Sequence, residues 1–241
     1  FLAYKRLSPD PYGISEETAN TAKTPGLPFY HAQRMKTAAE VVESITTAGG
    51  EATLKEIDLT LPGAVSALFD AAEATLGPVD ILVNNAAHYE NEDTIFSITA
   101  ETLQQTFAVN THVPVLMAAE YVRRHVKRKA KVGRIINLST DSAQTFSGQI
   151  SYGASKAAIE ALTRSIAIEV GPLGITVNTV APGPVQTGYI SAEFEERLKG
   201  VIPMRRIGTP EDIADTIAFL VSEQAKWITG QVIKVSGGHA M

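Results

Sequence analysis

Short apolar runs alternate along the chain with longer stretches whose apolar residues recur every three or four positions. Residues 52–57, 79–83, 134–138 and 175–180 are runs of the first kind, and 227–235 close the series. Each reads as a strand, and the near-continuous run at 79–83 suits a strand buried in a parallel sheet. Between them lie helical patterns. Residues 33–47 carry Ala38, Val41, Val42 and Ile45 on one side; residues 62–76 turn Val65, Leu68, Phe69 and Ala72 inward. A helical region begins at Thr99. Another helix opens at Tyr152, buries Ile159, Leu162 and Ile166, and stops at Gly171-Pro172. Residues 191–199 form a short charged helix. Thr209-Pro210-Glu211-Asp212 has a hydroxyl at the cap, proline first and an acid three on, and starts a helix with Ile213, Ile217, Leu220 and Val221. This alternation predicts an α/β fold with one doubly wound parallel sheet in a single domain, residues 1–241.

Breakers mark the exceptions. Residues 8–30 are rich in Pro, Gly, Ser and Thr and read as a long inserted loop, of the kind that serves as a lid. Gly49-Gly50 ends the helix at 33–47. Composition narrows the function. The 241 residues, 44% of them hydrophobic, suffice for one sizeable core. A net charge of -5 and a pI near 5.6 argue against a nucleic-acid partner. Without cysteine there is no disulfide frame and no thiolate metal site, which fits a reducing, cytoplasmic location. The five histidines lack metal-ligand spacing, so no metal is expected, and no apolar run is long enough to span a membrane.

The chemistry concentrates at residues 133–170. An apolar strand runs into the hydroxyl-rich turn Ser139-Thr140-Asp141-Ser142, and Tyr152-Gly153-Ala154-Ser155-Lys156 follows. A Tyr and a Lys four apart share a helix face. A free phenol, with a pKa near ~10, is a poor acid or base at neutral pH, and a cation one turn away pulls it down. Bringing it to about 7 takes roughly 4 kcal/mol. The expectation is therefore a tyrosine of lowered pKa that trades a proton with a carbonyl or alcohol.

This segment, with its Tyr-x-x-x-Lys pair and upstream hydroxyl, resembles the active-site stretch of the short-chain dehydrogenase/reductase family. Other motifs share the resemblance. Asn84-Asn85-Ala86-Ala87 is similar to the family's Asn-Asn-Ala-Gly, with Ala87 in place of glycine. Pro182-Gly183-Pro184-Val185-Gln186-Thr187 is similar to its Pro-Gly-x-Val-x-Thr. The resemblance implies a Rossmann-type fold and hydride transfer between a nicotinamide and a carbonyl or secondary alcohol. It implies Tyr152 as proton donor and acceptor, and Lys156 as the cation that tunes it and holds the cofactor ribose. Asn110 would position a relay water. The polarising hydroxyl is Thr140 by strand alignment, or Ser139 by counting thirteen residues back from Tyr152. On the cofactor side, Asp58 and Leu59 would meet the adenine end. Asn85, Ala86 and Ala87 would lie against the cofactor, Pro182 and Gly183 would pack on the nicotinamide, Val185 would offer backbone groups to its carboxamide, and Thr187 would reach the phosphates. Residues 1–4 read as the strand beside the adenosine ribose, so Lys5 and Arg6 lean towards NADP(H), with NAD(H) open.

The family's Thr-Gly-x-x-x-Gly-x-Gly turn has no counterpart here, and the strand-turn-helix unit that carries it is expected before residue 1. The substrate would be a small carbonyl or alcohol, set by loops around His88, Phe146, Gln149 and Tyr189. A 3-oxoacyl thioester is one option, with the cations from Arg123 to Lys131 as the only docking patch for an acidic carrier protein. A homo-oligomer, dimer or tetramer, is expected. The competing reading is a non-catalytic cofactor sensor or scaffold of the same fold.

Overall fold

The computed structural model describes residues 1–90, 92–143 and 147–240. In chain order the elements are β1 (Leu2–Tyr4), α1 (Glu16–Thr21), α2 (Leu27–Met35), α3 (Ala39–Thr47), β2 (Leu54–Glu56), α4 (Ala64–Leu76), β3 (Ile81–Asn84) and α5 (Ala100–Phe107). Then come α6 (Val113–Lys127), β4 (Gly133–Leu138), α7 (Ile150–Val170), β5 (Ile175–Pro182), α8 (Ala192–Val201), α9 (Pro210–Val221) and β6 (Val232–Val235). All strand pairings are parallel. Four strands run in the order β3-β4-β5-β6, and β1-β2 form a separate pair. Helices cover both faces of the larger sheet. On one side Leu68, Phe69, Met117 and Tyr121 pack with Ile135, Ile175 and Val177. On the other, Leu220 of α9 meets Ile136, Leu138 and Val180. β4 is buried along its whole length, as a strand sandwiched between helix layers should be. Among the described residues no helix is long and apolar enough to cross a membrane.

Three sequence expectations change. Residues 8–30 are not a structureless loop: they hold a 3-10 turn at Asp10–Tyr12, helix α1 capped by the Ser15 hydroxyl, and the first part of α2. Ser, Thr and Pro act here as caps and first-turn residues rather than as breakers. Residues 33–47 are not one helix, because extended backbone at Lys36 parts α2 from α3. β3 is not buried throughout: Ile81 and Val83 are 46% and 41% exposed. Among the described residues β3 pairs only with β4, and its other edge faces a cavity of about 1770 Å³ whose far side is β1.

Candidate active site

The C-terminal ends of β3, β4 and β5 bring three loops together. Tyr152 and Lys156 lie in the first two turns of α7. The Lys156 ammonium is buried, donates to the Leu138 carbonyl at 2.8 Å, and stands 5.9 Å from the centre of the Tyr152 ring. Gly153 explains how closely α7 approaches the turn after β4: a Cβ there would sit 2.8 Å from the Ser142 carbonyl oxygen. A glycine inside a helix costs about 1 kcal/mol against alanine, and this contact is what it permits.

The two candidate hydroxyls part company. Ser139 is buried and donates to Glu160 on α7 at 2.7 Å, away from the phenol. Thr140 is the hydroxyl that interacts with Tyr152.

The expected lowering of the Tyr152 pKa is not what the chain alone produces. Burial, followed by the nearby Tyr30, raises it to about 12; the Thr140 hydroxyl opposes this and Asp141 adds to it. Burial also lowers Lys156, to about 8. Desolvation disfavours both charged forms, and it outweighs a cation held under the ring face. At neutral pH the protein's own groups therefore hold a protonated phenol over a mostly protonated amine.

Asn110 sits in a π-turn, Ala108–His112, where the Val113 N–H reaches back to the Ala108 carbonyl. Single π-turns of this kind gather at functional sites. Its buried side chain accepts from the His88 N–H (2.7 Å) and donates to the His88 carbonyl (2.8 Å) and to Ser155 Oγ (3.0 Å). Asn110 thereby ties the loop after β3 to the helix that carries Tyr152. Asn84 donates to Asn137, Asn137 to Thr163, and Thr163 shares a hydrogen bond with Thr179, so a buried polar chain crosses β3, β4, α7 and β5.

Sequence reasoning missed Asp93. This buried carboxylate lies in the loop after β3 and accepts the backbone N–H groups of Ser151 (2.8 Å) and Tyr152 (2.9 Å). It caps α7 from a distance of 58 residues, and the Gln149 side chain at the local cap position makes no such bond. A carboxylate at a helix N-terminus is favoured by both the hydrogen bonds and the helix dipole. Asp93→Ala is expected to lower stability by about 2 kcal/mol, read by urea denaturation.

Of the cofactor candidates, Lys5, Asp58, Leu59, Asn85, Ala86, Ala87 and Thr187 line the cavity between β1 and β3. Asn85, Ala86 and Ala87 are exposed to it. Arg6, Tyr152, Lys156, Pro182, Gly183 and Val185 are not on its wall. Gly183 packs against β6, where a Cβ would meet the Ser236 backbone at 2.7 Å; the bridge between Val185 and Gly208 anchors the loop beyond it. The cations at the end of β1 are not free. Lys5 pairs with Asp58 at 2.5 Å and Arg6 with Glu56 at 2.9 Å. Lys5 and the Thr60 hydroxyl hold the Asp58 carboxyl down at about 2. Asp58 accepts from the Thr60 N–H rather than capping α4, whose cap is Gly63. The wall still fits a dinucleotide: apolar Leu59, Ala86 and Ala87 offer surface to rings, and Asn85 and Thr187 offer polar contacts. His88 and Glu90 bond to each other (2.6 Å), Tyr189 is partly exposed beside Tyr30, and Phe146 lies outside the described residues.

A Tyr-Lys pair thus stands beside the carboxyl ends of the strands of a parallel sheet. Residues 10–240 match the family model described as "Enoyl-(Acyl carrier protein) reductase". The chain is 40% identical over 200 residues to the uncharacterized oxidoreductase YjdA of Bacillus subtilis, covering 83% of this chain and 79% of that protein. It is 41% identical over 188 residues to NADPH-dependent aldehyde reductase 2, chloroplastic, of Arabidopsis thaliana, covering 75% and 68%. The crystal structure of the angucycline C-6 ketoreductase LanV with bound NADP superposes with a TM-score of 0.76 at 35% identity, covering 87% and 82%. The chain belongs to the short-chain dehydrogenase/reductase family, and it is an oxidoreductase with that family's Rossmann fold.

Proposed function

We propose that the protein is an NADP(H)-preferring reductase of small carbonyl compounds, running in reverse on secondary alcohols. The observation that carries this reading is the buried Lys156 ammonium 5.9 Å from the centre of the Tyr152 ring. When bound, the nicotinamide supplies or takes the hydride at its C4. Tyr152 gives its proton to the carbonyl oxygen as the alkoxide develops, and Lys156 stabilises the phenolate left behind. Thr140 donates to the same oxygen and orients it. Asn110 holds the His88 loop and supports the water through which the phenol is reprotonated. Lys5, Asp58, Leu59, Asn85, Ala86, Ala87 and Thr187 would hold the cofactor, with Pro182, Gly183 and Val185 shaping its nicotinamide end. The NADP(H) preference draws its support from the NADPH-dependent aldehyde reductase and the NADP-bound ketoreductase among the similar proteins.

The test is fluorescence titration with NADPH, followed by aldehyde-dependent loss of its absorbance. Binding with turnover upholds the reading; absence of both leaves the scaffold alternative. The hydroxyl assignment has its own outcome. Thr140→Val should lower kcat by about 10²-fold, the effect of removing one donor at a developing oxyanion, while Ser139→Ala leaves kcat within a fewfold. A 3-oxoacyl thioester is the second reading; the description of the family model names an acyl carrier protein, though with an enoyl group rather than a 3-oxoacyl one. Its carrier-docking patch is weak. Arg124 is committed to Asp70, Glu73 and Glu120, and Arg128 to Asp80.

A further inference from the structure

Residues 7–35 fold into a roof at the cavity. The Leu7 N–H donates to the Arg34 carbonyl (3.1 Å), closing the segment on itself. The Gly26 N–H donates to the Gly188 carbonyl (2.8 Å), and Tyr30 meets Tyr189 edge-on at 6.0 Å, so the roof reaches the loop that precedes α8.

Within the roof Arg34 is caged. Its guanidinium carbon stands 5.1, 5.4 and 5.8 Å from the ring centres of Tyr12, Tyr30 and Tyr89. Aromatic faces stabilise a cation but do not accept its in-plane hydrogen bonds. One guanidinium nitrogen, Nη2, donates to the Tyr12 hydroxyl at a long 3.5 Å. Among the described residues the other, Nη1, is buried with no partner, as is the Tyr89 hydroxyl. Among the described residues Arg34 forms no ion pair. Two carboxylates on the same cavity wall are engaged elsewhere, Glu90 with His88 and Asp58 with Lys5. A buried donor without an acceptor costs about 1–3 kcal/mol, more when charged. Arg34 lines the cavity, so a shift of the surrounding tyrosine rings would bring this nitrogen to an incoming anion.

We propose that Arg34 anchors a carboxylate of the carbonyl substrate, with the surrounding tyrosine rings packing on an aromatic or flat apolar body. This rests on the carbonyl-reductase reading. It assigns the insertion a task, selection of anionic carbonyl compounds, that neither the Tyr152-Lys156 pair nor the cofactor wall performs. Arg34 is a binding residue in this proposal and takes no part in proton transfer.

The experiment is calorimetric titration of benzoate and of neutral benzamide, run on the wild type, Arg34→Gln and Arg34→Lys, with NADPH and NADH titrated onto the same proteins. The wild type should bind benzoate at least tenfold more tightly than benzamide. Arg34→Gln should lose that preference, Arg34→Lys should keep part of it, and NADPH and NADH affinities should not change. Equal binding of the two probes by the wild type overturns the proposal. So does a loss in Arg34→Gln confined to NADPH, which assigns the anion to the cofactor phosphate. A lowered melting temperature with the benzoate preference intact also overturns it, leaving the guanidinium as a prop for the roof. Probe binding is read without turnover, so a chain that reduces no carbonyl fails the enzymatic reading separately.

Discussion

Tyr152→Phe should lower turnover at least a hundredfold while NADPH binding stays within a fewfold of wild type. The phenol is the proposed proton donor, and general acid-base catalysis contributes about 10²–10⁴-fold. The substitution removes one oxygen from a side chain whose backbone N–H is held by Asp93, so α7 keeps its start. Binding by fluorescence and turnover by absorbance on one preparation separate the chemical from the structural effect. Unchanged turnover would end the assignment of this tyrosine as the acid.

Replacing Lys156 by Met should abolish most turnover, and it should also change how activity and stability respond to pH. In the wild type the amine titrates at about 8, lowered by burial. Below that pH the ammonium is present to stabilise the phenolate that forms as the proton leaves. Carbonyl reduction should therefore be level up to about pH 8 and fall above it, while the Tyr152 phenol, raised to about 12, stays protonated throughout. The stability sign follows from the same shift. Between about 8 and 10.5 the unfolded chain binds a proton at this lysine that the folded chain does not, so wild-type stability rises with pH there. The gain over Lys156→Met across that window is about 3 kcal/mol at 1.36 kcal/mol per unit, an order-of-magnitude figure for a buried amine. Denaturation curves of both proteins at pH 7 and 10 measure it. A difference that does not vary with pH would mean the amine keeps an ordinary pKa and is not desolvated.

The motifs that mark the site were legible because they are local. Tyr152 and Lys156 share a helix face through spacing alone, and Asn84-Asn85 and Pro182-Gly183 stand at the ends of strands that their apolar runs announce. The Thr209 capping box was readable for the same reason, since its two partners lie three residues apart. Asp93 was not legible, because nothing near it in sequence shows that its carboxylate meets N–H groups 58 and 59 residues away. Nor was the roof: its short helices carry the residue types of a loop, and they are held by Gly188, Tyr89 and Tyr189, which come much later in the chain.

By itself the sequence determined the α/β alternation, the strands that carry the site, and the pairing of a phenol with an amine. Those features depend on period and spacing, which act within a few residues. Only the tertiary structure decided that Thr140 rather than Ser139 turns to the phenol, because Glu160 on α7 takes the Ser139 hydroxyl. It also decided the direction in which the phenol and the amine are shifted. Desolvation is set by what the fold packs around a group, and here it exceeds the attraction that spacing alone led one to expect.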